Sequence, residues 1–244
     1  MKTYKQIIFI GRLAAATLLL LGSASVSAAM ATATAEIDWS TFRIIADPGV
    51  SLTFSHQSDN SRATLFKIGG GGFVSTEDTE PDWATGTFAT RTNLTSTATA
   101  RTSPDRLFAE ASYNSGFFEP SASNSRSGGF TVSGNGFVRV QVDYSLTRST
   151  TSSVVNAGLF FSGASPGNVF EFRALDEGST DLSQSGTLGA GVFLRDGETG
   201  SLEASTRASV FRSVGPVPLP AGAWLFGSSL LGLIGWRRRR QTAA

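Results

Sequence analysis

The sequence predicts an all-β protein, a two-sheet antiparallel β-sandwich similar to a jelly roll, and two observations carry this prediction. Several segments between residues 36 and 212 alternate apolar with polar side chains, as strands with one buried face do. No long helical segment separates them, which argues against a parallel α/β fold. About eight to ten strands are expected, at the spacing typical of a sandwich, and a closed barrel is the alternative.

The strongest strand signal spans residues 137–147, where apolar side chains occupy every second position. These apolar residues are Val138, Val140, Val142, Tyr144 and Leu146. Just before them, Asn135 and Gly136 stand between two apolar runs, and this dipeptide favours the positive φ values of a type I′ turn. The sequence therefore predicts a tight hairpin at this point.

Further strands are predicted on both sides of this one. Phe170, Phe172 and Ala174 share one face of a short strand, and charged residues occupy its other face. Residues 189–211 predict two strands joined by a turn at Asp196 and Gly197. Residues 106–113 favour a strand over a helical turn, although the preceding Pro104 would suit the start of a helix.

Two segments, residues 69–82 and 112–129, are predicted to be surface loops because glycine, serine and acidic residues are concentrated there. Alanine and threonine are common at the predicted inward positions of the strands. The core is therefore expected to be thin, with phenylalanines, Trp39 and Trp83 filling it.

The first 28 residues have the organisation of a secretory signal peptide, with a basic start, an apolar segment and small residues at the end. Cleavage by signal peptidase is expected after Ala28, with Ala29 or Ala31 as the alternative positions. An uncleaved anchor is less well supported, because the apolar run is short for a membrane span of about 20 residues. Export through the secretion translocon across the inner membrane follows from this signal.

The exported part of the chain is acidic. The sequence has 20 basic and 19 acidic residues, and seven of the basic residues lie in the two terminal segments. Subtracting those seven leaves 13 against 19, a net charge of −6 for residues 29–216. This balance argues against nucleic acid as a partner. The chain has no cysteine, which excludes thiol catalysis, Cys-ligated zinc and disulfides.

No set of residues predicts a catalytic, cofactor-binding or metal site. His56 is the only histidine, and it fits a surface turn better than a general base beside a serine. The four glycines at residues 69–72 lack the Lys-Ser/Thr pair that a phosphate-binding loop requires. Two acidic segments are weak candidates for calcium, and a solvated acidic loop explains both of them better. They comprise Glu77, Asp78, Glu80 and Asp82, and the segment from Asp176 to Asp181.

The C-terminal region divides into three parts after a sandwich domain predicted for residues 29–213. Residues 214–220 contain three prolines and predict an extended linker. Residues 221–236 carry no charge and predict a transmembrane helix of about 24 Å. Ala221 begins this helix, and Trp224 and Trp236 lie where aromatic rings favour the membrane interface. Residues 237–244 form a basic cytoplasmic tail whose stop-transfer signal is Arg237, Arg238, Arg239 and Arg240.

This three-part tail resembles the PEP-CTERM sorting signal of Gram-negative bacteria. The resemblance rests on the motif Val217, Pro218, Leu219 and Pro220, followed by the apolar run and the arginines. Leu219 stands where the family usually has glutamate, and this departure resembles a known VPLP variant of the motif. The resemblance implies recognition by exosortase, a membrane cysteine transpeptidase, with cleavage near residues 218–220. It also implies delivery to the cell surface or extracellular matrix, often alongside exopolysaccharide.

The predicted function is that of a non-enzymatic surface or matrix protein, structural or adhesive in a biofilm or floc, with transient residence in the inner membrane. The alternative from a different class is a carbohydrate-binding, lectin-like module, which would present exposed aromatic side chains beside convergent polar groups. The candidate aromatic residues are Phe108, Phe117, Phe118 and Phe137. A glycoside hydrolase is the least supported alternative, and it would need two carboxylates about 5–10 Å apart in a cleft.

Overall fold

The computed structural model describes residues 30–163 and 168–212, which contain twelve β-strands and no helix. These strands belong to a unit that ends at Phe211. In chain order they are β1 (Ala31–Ala46), β2 (Ser51–Lys67), β3 (Gly72–Glu80), β4 (Phe88–Asn93), β5 (Ser96–Ser103), β6 (Arg106–Tyr113), β7 (Phe118–Ser133), β8 (Gly136–Arg148), β9 (Ser153–Gly163), β10 (Val169–Leu175), β11 (Ser183–Leu194) and β12 (Thr199–Val210).

The strands form two six-stranded sheets. Sheet A has the order β11-β8-β1-β6-β5-β4, and sheet B has the order β10-β9-β12-β7-β2-β3. All neighbouring strands are antiparallel. The prediction of an all-β protein with two antiparallel sheets is therefore confirmed.

The inner faces of the two sheets carry the apolar residues that the alternating pattern assigns to a core. Val138, Val140 and Leu146 of β8 are fully buried, as predicted. Alanines fill much of the remaining interior, for example Ala100 on β5 and Ala109 on β6. The larger rings cluster in pairs, with 5.2 Å between the centroids of Phe130 and Phe161 and 5.6 Å between those of Trp39 and Trp83. The alanine-rich core with tryptophan filling is confirmed.

Side chains bridge the two sheets along both lateral edges. On one side, Arg91 of β4 donates from Nη2 to the Ser75 carbonyl of β3, at 2.9 Å. On the other side, the Glu171 carboxylate of β10 accepts a hydrogen bond from the Gly189 backbone N–H of β11. Each of these bonds ties an edge strand of one sheet to the facing edge strand of the other sheet.

The predicted hairpin at Asn135 and Gly136 is wrong, because β7 belongs to sheet B and β8 to sheet A. The positive φ falls on Gly134, at 89°, and a Cβ there would lie 2.2 Å from the Gly49 carbonyl oxygen. The connection crosses between the sheets, and its Gly134 N–H donates to Asp196 Oδ1, at 2.8 Å, in the turn between β11 and β12. Local turn propensity identified the bend, whereas tertiary contacts decided which strands it joins.

The two predicted surface loops are also corrected in part. Strand β3 occupies most of residues 69–82, and strand β7 occupies residues 118–129 of the second segment. Both strands are rich in small or charged residues because one of their faces lies on the outside of sheet B. Their backbone groups pair along β2, for example between Asn60 and Thr79 and between Asn60 and Ser125. The strand predicted at residues 106–113 is confirmed as β6.

Candidate functional site

The outer face of sheet B carries a row of small polar side chains on its two central strands. Ser123, Ser125 and Ser127 alternate along β7 with the inward residues Asn124 and Arg126. Across the sheet, Ser125 pairs with Ser205 of β12, which in turn pairs with Gly158 of β9. Residues directly opposite in antiparallel strands share one face of the sheet. The floor of this face therefore has little side-chain bulk.

Two adjoining depressions lie on this floor and share Ser205. One encloses about 220 Å³ and is lined by Gly158, Phe160, Phe170, Glu203 and Ser205. The other encloses about 300 Å³, and its lining includes Ser123, Ser125 and Ser205 with the polar residues beside them. Those neighbours are Asn60, Asn124, Asn156, Thr206 and Arg207. We call the two depressions together the trough.

Aromatic rings border the trough on the β9–β10 side. Phe170 and Phe172 project from the outer face of β10, and their side chains are 59% and 45% exposed. Their ring centroids lie 5.8 Å apart, with 23° between the ring planes. Phe160 pairs with Phe170, and Gly158 pairs with Phe172. A pair of nearly parallel, exposed rings thus stands beside a glycine that leaves the floor open.

Amide and charged groups border the trough on the β2–β3 side. Asn60 of β2 donates from Nδ2 to Glu77 Oε1 at 2.7 Å and to Thr79 Oγ1 at 2.9 Å. Arg62 pairs with Glu77 in the next row of the sheet. With Glu203 and Arg207 of β12, the outer face here carries two arginines and two glutamates. The trough therefore has balanced charge.

The inner face of the same strands is polar as well, but its groups are bound to one another. Asn124 donates from Nδ2 to the Phe108 carbonyl at 2.7 Å and accepts from Thr206 Oγ1 at 2.8 Å. Arg126 is fully buried and forms a two-pronged ion pair with Asp59, at 2.8 Å and 2.6 Å. Such geometry offsets part of the cost of burying two charges.

The surroundings of Arg126 complete its coordination. Its guanidinium also donates to the carbonyls of Ser103, Trp83 and Pro104. The ring of Trp39 lies 5.1 Å from the guanidinium carbon, within the range of a cation–π contact. This buried cluster fixes the turns that precede β4 and β6 against β7, so we assign it a structural role.

The second acidic segment, residues 176–181, encloses an arginine side chain. The Arg148 guanidinium donates to the carbonyls of Ser179 at 2.6 Å, Asp176 at 2.9 Å and Asp181 at 2.9 Å. It also donates to the Ser153 carbonyl at 2.7 Å. Backbone carbonyls that could have bound calcium therefore surround a guanidinium from the chain itself.

The carboxylates of the first acidic segment do not point toward a common position. Glu77 faces outward to Asn60, whereas Asp78 accepts from the Phe88 backbone N–H at 2.8 Å. Asp82 caps a turn, and hydrogen bonds from the Thr85 backbone, the Thr85 hydroxyl and the Ala84 backbone lower the pKa of its carboxyl. Among the described residues, no group of three or more His, Cys, Asp or Glu could hold a metal ion.

His56 and the four glycines lie away from the trough floor. His56 has a φ of 51° at the register shift of β2, and its Nδ1 lies 3.2 Å from the Ser55 hydroxyl of the adjacent residue. The glycines form the β2–β3 hairpin, in which Gly69 and Gly71 have positive φ. The prediction of a glycine turn without a phosphate-binding helix fits this geometry.

The aromatic residues that the sequence suggested for sugar binding lie outside the trough. Phe108 is on the outer face of sheet A, where the guanidinium carbon of Arg101 lies 4.7 Å from its ring centroid and that of Arg106 5.2 Å. Phe117 and Phe137 are exposed, and Phe118 packs against the core. None of the four lines the trough. The alternation of Phe170 and Phe172 with charged residues was visible in the sequence, but it could not show which face points outward.

The predicted signal and sorting residues lie outside the described part of the chain. These are Ala28, Ala29, the motif at residues 217–220, the helix at 221–236 and the arginines at 237–240. Within the described ranges, no helix is long and apolar enough to cross a membrane.

The fold and the trough define an all-β sandwich protein with an open polar surface on one sheet. Comparison with protein-family models, with curated proteins and with solved structures finds no match to this chain.

Proposed function

We propose that this chain is an exported, non-enzymatic adhesion protein of the cell surface or extracellular matrix, and that it holds exopolysaccharide on the outer face of sheet B. The observation that carries this proposal is the trough, in which serine hydroxyls and exposed phenyl rings lie together. Polar groups that fix orientation, set beside apolar rings, are the usual composition of a small-molecule or glycan site.

The sugar-binding role joins the two classes that the sequence left open, because an adhesion protein of a polysaccharide matrix needs a surface that sugars can occupy. Hydroxyl and amide side chains both donate and accept hydrogen bonds, which suits the hydroxyls of a sugar. Phenyl rings supply apolar contact area without a charge. The trough is open and shallow, so it suits a long polymer better than an enclosed small molecule.

The spacing of carboxylates supports binding without hydrolysis. Glu203 lines the trough and Glu77 lies beside it, and three strand spacings, about 14 Å in all, separate their strands, β12 and β3. A pair of carboxylates that hydrolyses a glycosidic bond lies about 5–10 Å apart. We therefore propose that these two glutamates bind or orient the polymer.

We further propose the route by which the protein reaches the matrix. A jelly-roll-like sandwich would be flanked by a signal peptide and a C-terminal transmembrane helix, and an exosortase-type enzyme would cut near residues 217–220. The support for this route is the order of the proline motif, the uncharged run and the four arginines in the sequence.

Three measurements test the proposal. The intact mass of the protein recovered from the matrix of producing cells should correspond to a chain cut after residue 28 or 29 and near residues 218–220. Replacing residues 217–220 with Gly-Ser repeats should leave the protein in the inner membrane, and its normal release would contradict sorting by this motif.

Purified exopolysaccharide from the same cells should retain the protein on a column, and failure to retain it would contradict the adhesive role.

A further inference from the structure

The trough has two chemically different ends, and this asymmetry carries information about its ligand. From β10 to β3 the face spans six strands, a distance of about 24 Å at the usual strand spacing. Exposed phenyl rings mark the β10 end, whereas the Asn60 amide and the cross-strand neighbours Arg62 and Glu77 mark the β3 end. The small residues between them leave a continuous path across the strands.

The shape of the path depends on Gly158. A Cβ at this position would lie 3.4 Å from the Phe170 ring and 3.4 Å from the Ser205 hydroxyl, which is ordinary contact distance. Gly158 has no positive φ, so its backbone conformation does not require glycine. A larger side chain could be accommodated there, but it would fill the floor of the depression. The glycine therefore keeps the floor beside the rings low.

The strand backbone is not available to a ligand at this site. The trough lies on the face of a sheet, and β9, β12, β7 and β2 are hydrogen-bonded to strands on both sides. A peptide that bound by adding a strand would need a free sheet edge. Recognition at the trough must therefore come from side chains, which disfavours an extended peptide as the ligand.

The charge of the trough argues against a polyanion. Arg207 and Glu203, which line the trough, balance one another, and the exported part of the chain has a net charge of −6. Nucleic acids and polyuronates are held by an excess of basic residues. The hydroxyls of Ser123, Ser125 and Ser205 form no hydrogen bond to another described residue, so they are available to an uncharged polar ligand.

We infer that the trough binds an uncharged polysaccharide whose chain runs across the strands of sheet B, with a sugar ring packed on Phe170 and Phe172 and its neighbours over Gly158, Ser205 and Ser125. This inference rests on the proposed function and narrows it to a ligand class and a direction of binding. The carbon-bound hydrogens of the sugar face the phenyl rings, and the sugar hydroxyls meet the serine floor and Asn60.

The test uses the full chain in a detergent without a sugar headgroup, since such a headgroup would compete for the site. Affinity electrophoresis compares gels that contain dextran, galactomannan or mixed-linkage β-glucan with gels that contain alginate. At least one uncharged polymer should retard the protein, and alginate should not. Retardation by alginate alone would overturn the inference while leaving adhesion to polysaccharide intact. Absence of retardation by any polymer would overturn both.

Three variants locate the site. Phe170→Ala with Phe172→Ala, and separately Gly158→Leu, should each weaken retardation at least about tenfold, whereas Gly158→Ala should have a smaller effect. Phe193→Ala is the matched control, because Phe193 is 57% exposed and lies on the outer face of sheet A. Circular dichroism and the thermal midpoint confirm folding. If an uncharged polymer binds equally well to all four variants, the trough is not its site and the inference fails.

Discussion

Strand β7 carries polar side chains on both of its faces, and the two faces use them in different ways. On the inner face, Asn124 and Arg126 are buried and have hydrogen-bond partners within the chain. On the outer face, Ser123 and Ser125 are partly exposed, and their hydroxyls form no hydrogen bond to another described residue. Buried polar groups must form hydrogen bonds within the folded chain, whereas exposed polar groups can form them with a ligand. The inner face therefore serves the fold, and the outer face is free to serve function.

Breaking the ion pair of the inner face should have the largest effect on stability. Asp59→Asn leaves the fully buried Arg126 guanidinium without its carboxylate, and the loss of one partner of a buried pair costs about 3–5 kcal/mol. Equilibrium unfolding in guanidinium chloride measures the change in free energy.

A surface pair provides the matched control for that variant. Glu36 lies 3.5 Å from Arg106, and both side chains are about one third exposed. Glu36→Gln should cost less than about 1 kcal/mol, because solvent screens the pair. Equal losses of stability in the two variants would show that the buried ion pair contributes no more than the exposed one. The proposed structural role of the inner face would then be wrong.

Removing the guanidinium that residues 176–181 surround should have the next largest effect. Arg148→Met leaves several carbonyls without a donor, and we expect a loss of about 2–3 kcal/mol, since water can reach part of this loop. Limited proteolysis should cut the variant between β10 and β11 faster than the unaltered protein.

Arg207→Met on the outer face is the control for Arg148→Met, and it should change stability by less than about 0.5 kcal/mol. Calcium should not raise the thermal midpoint of the unaltered protein, because Arg148 occupies the carbonyl cluster. A calcium-dependent increase would indicate that another set of oxygens binds the ion.

The fold class could be predicted from the sequence because alternation in strands such as β8 reports directly on which side chains are buried. The pairing of strands could not, because it depends on contacts far apart in the chain. Asn135 and Gly136 marked a real bend, but the bonds of Gly134 and Phe137 to distant aspartates decide its path between the sheets.

The trough could not be predicted from the sequence, for a related reason. Alternation in β10 separates Phe170 and Phe172 from Glu171, but apolar side chains are normally assigned to the core. Here the charged Glu171 turns inward to bridge to Gly189 of β11, and the rings face outward. In an edge strand beside the gap between two sheets, charged side chains can face inward and apolar side chains outward, which reverses the usual pattern. A single sequence does not show which strand is at the edge.

The smallest predicted effect tests the comparison between the faces at adjacent residues of β7. Asn124→Ala removes the hydrogen bonds to Phe108 and Thr206 inside the sandwich, so it should cost about 1–2 kcal/mol. Ser125→Ala removes a hydroxyl that bonds to no other described residue, so it should change stability by less than about 0.5 kcal/mol.

The same two variants should reverse their order in a binding measurement. Ser125→Ala removes a donor and acceptor from the floor of the trough and should weaken retardation by an uncharged polysaccharide. Asn124→Ala should weaken it less once folding is confirmed, because the Asn124 side chain is buried on the inner face although the residue borders the trough. If Ser125→Ala costs as much stability as Asn124→Ala, the outer hydroxyls take part in folding after all. The inner face of β7 would then not be reserved for stability, nor its outer face for ligand binding.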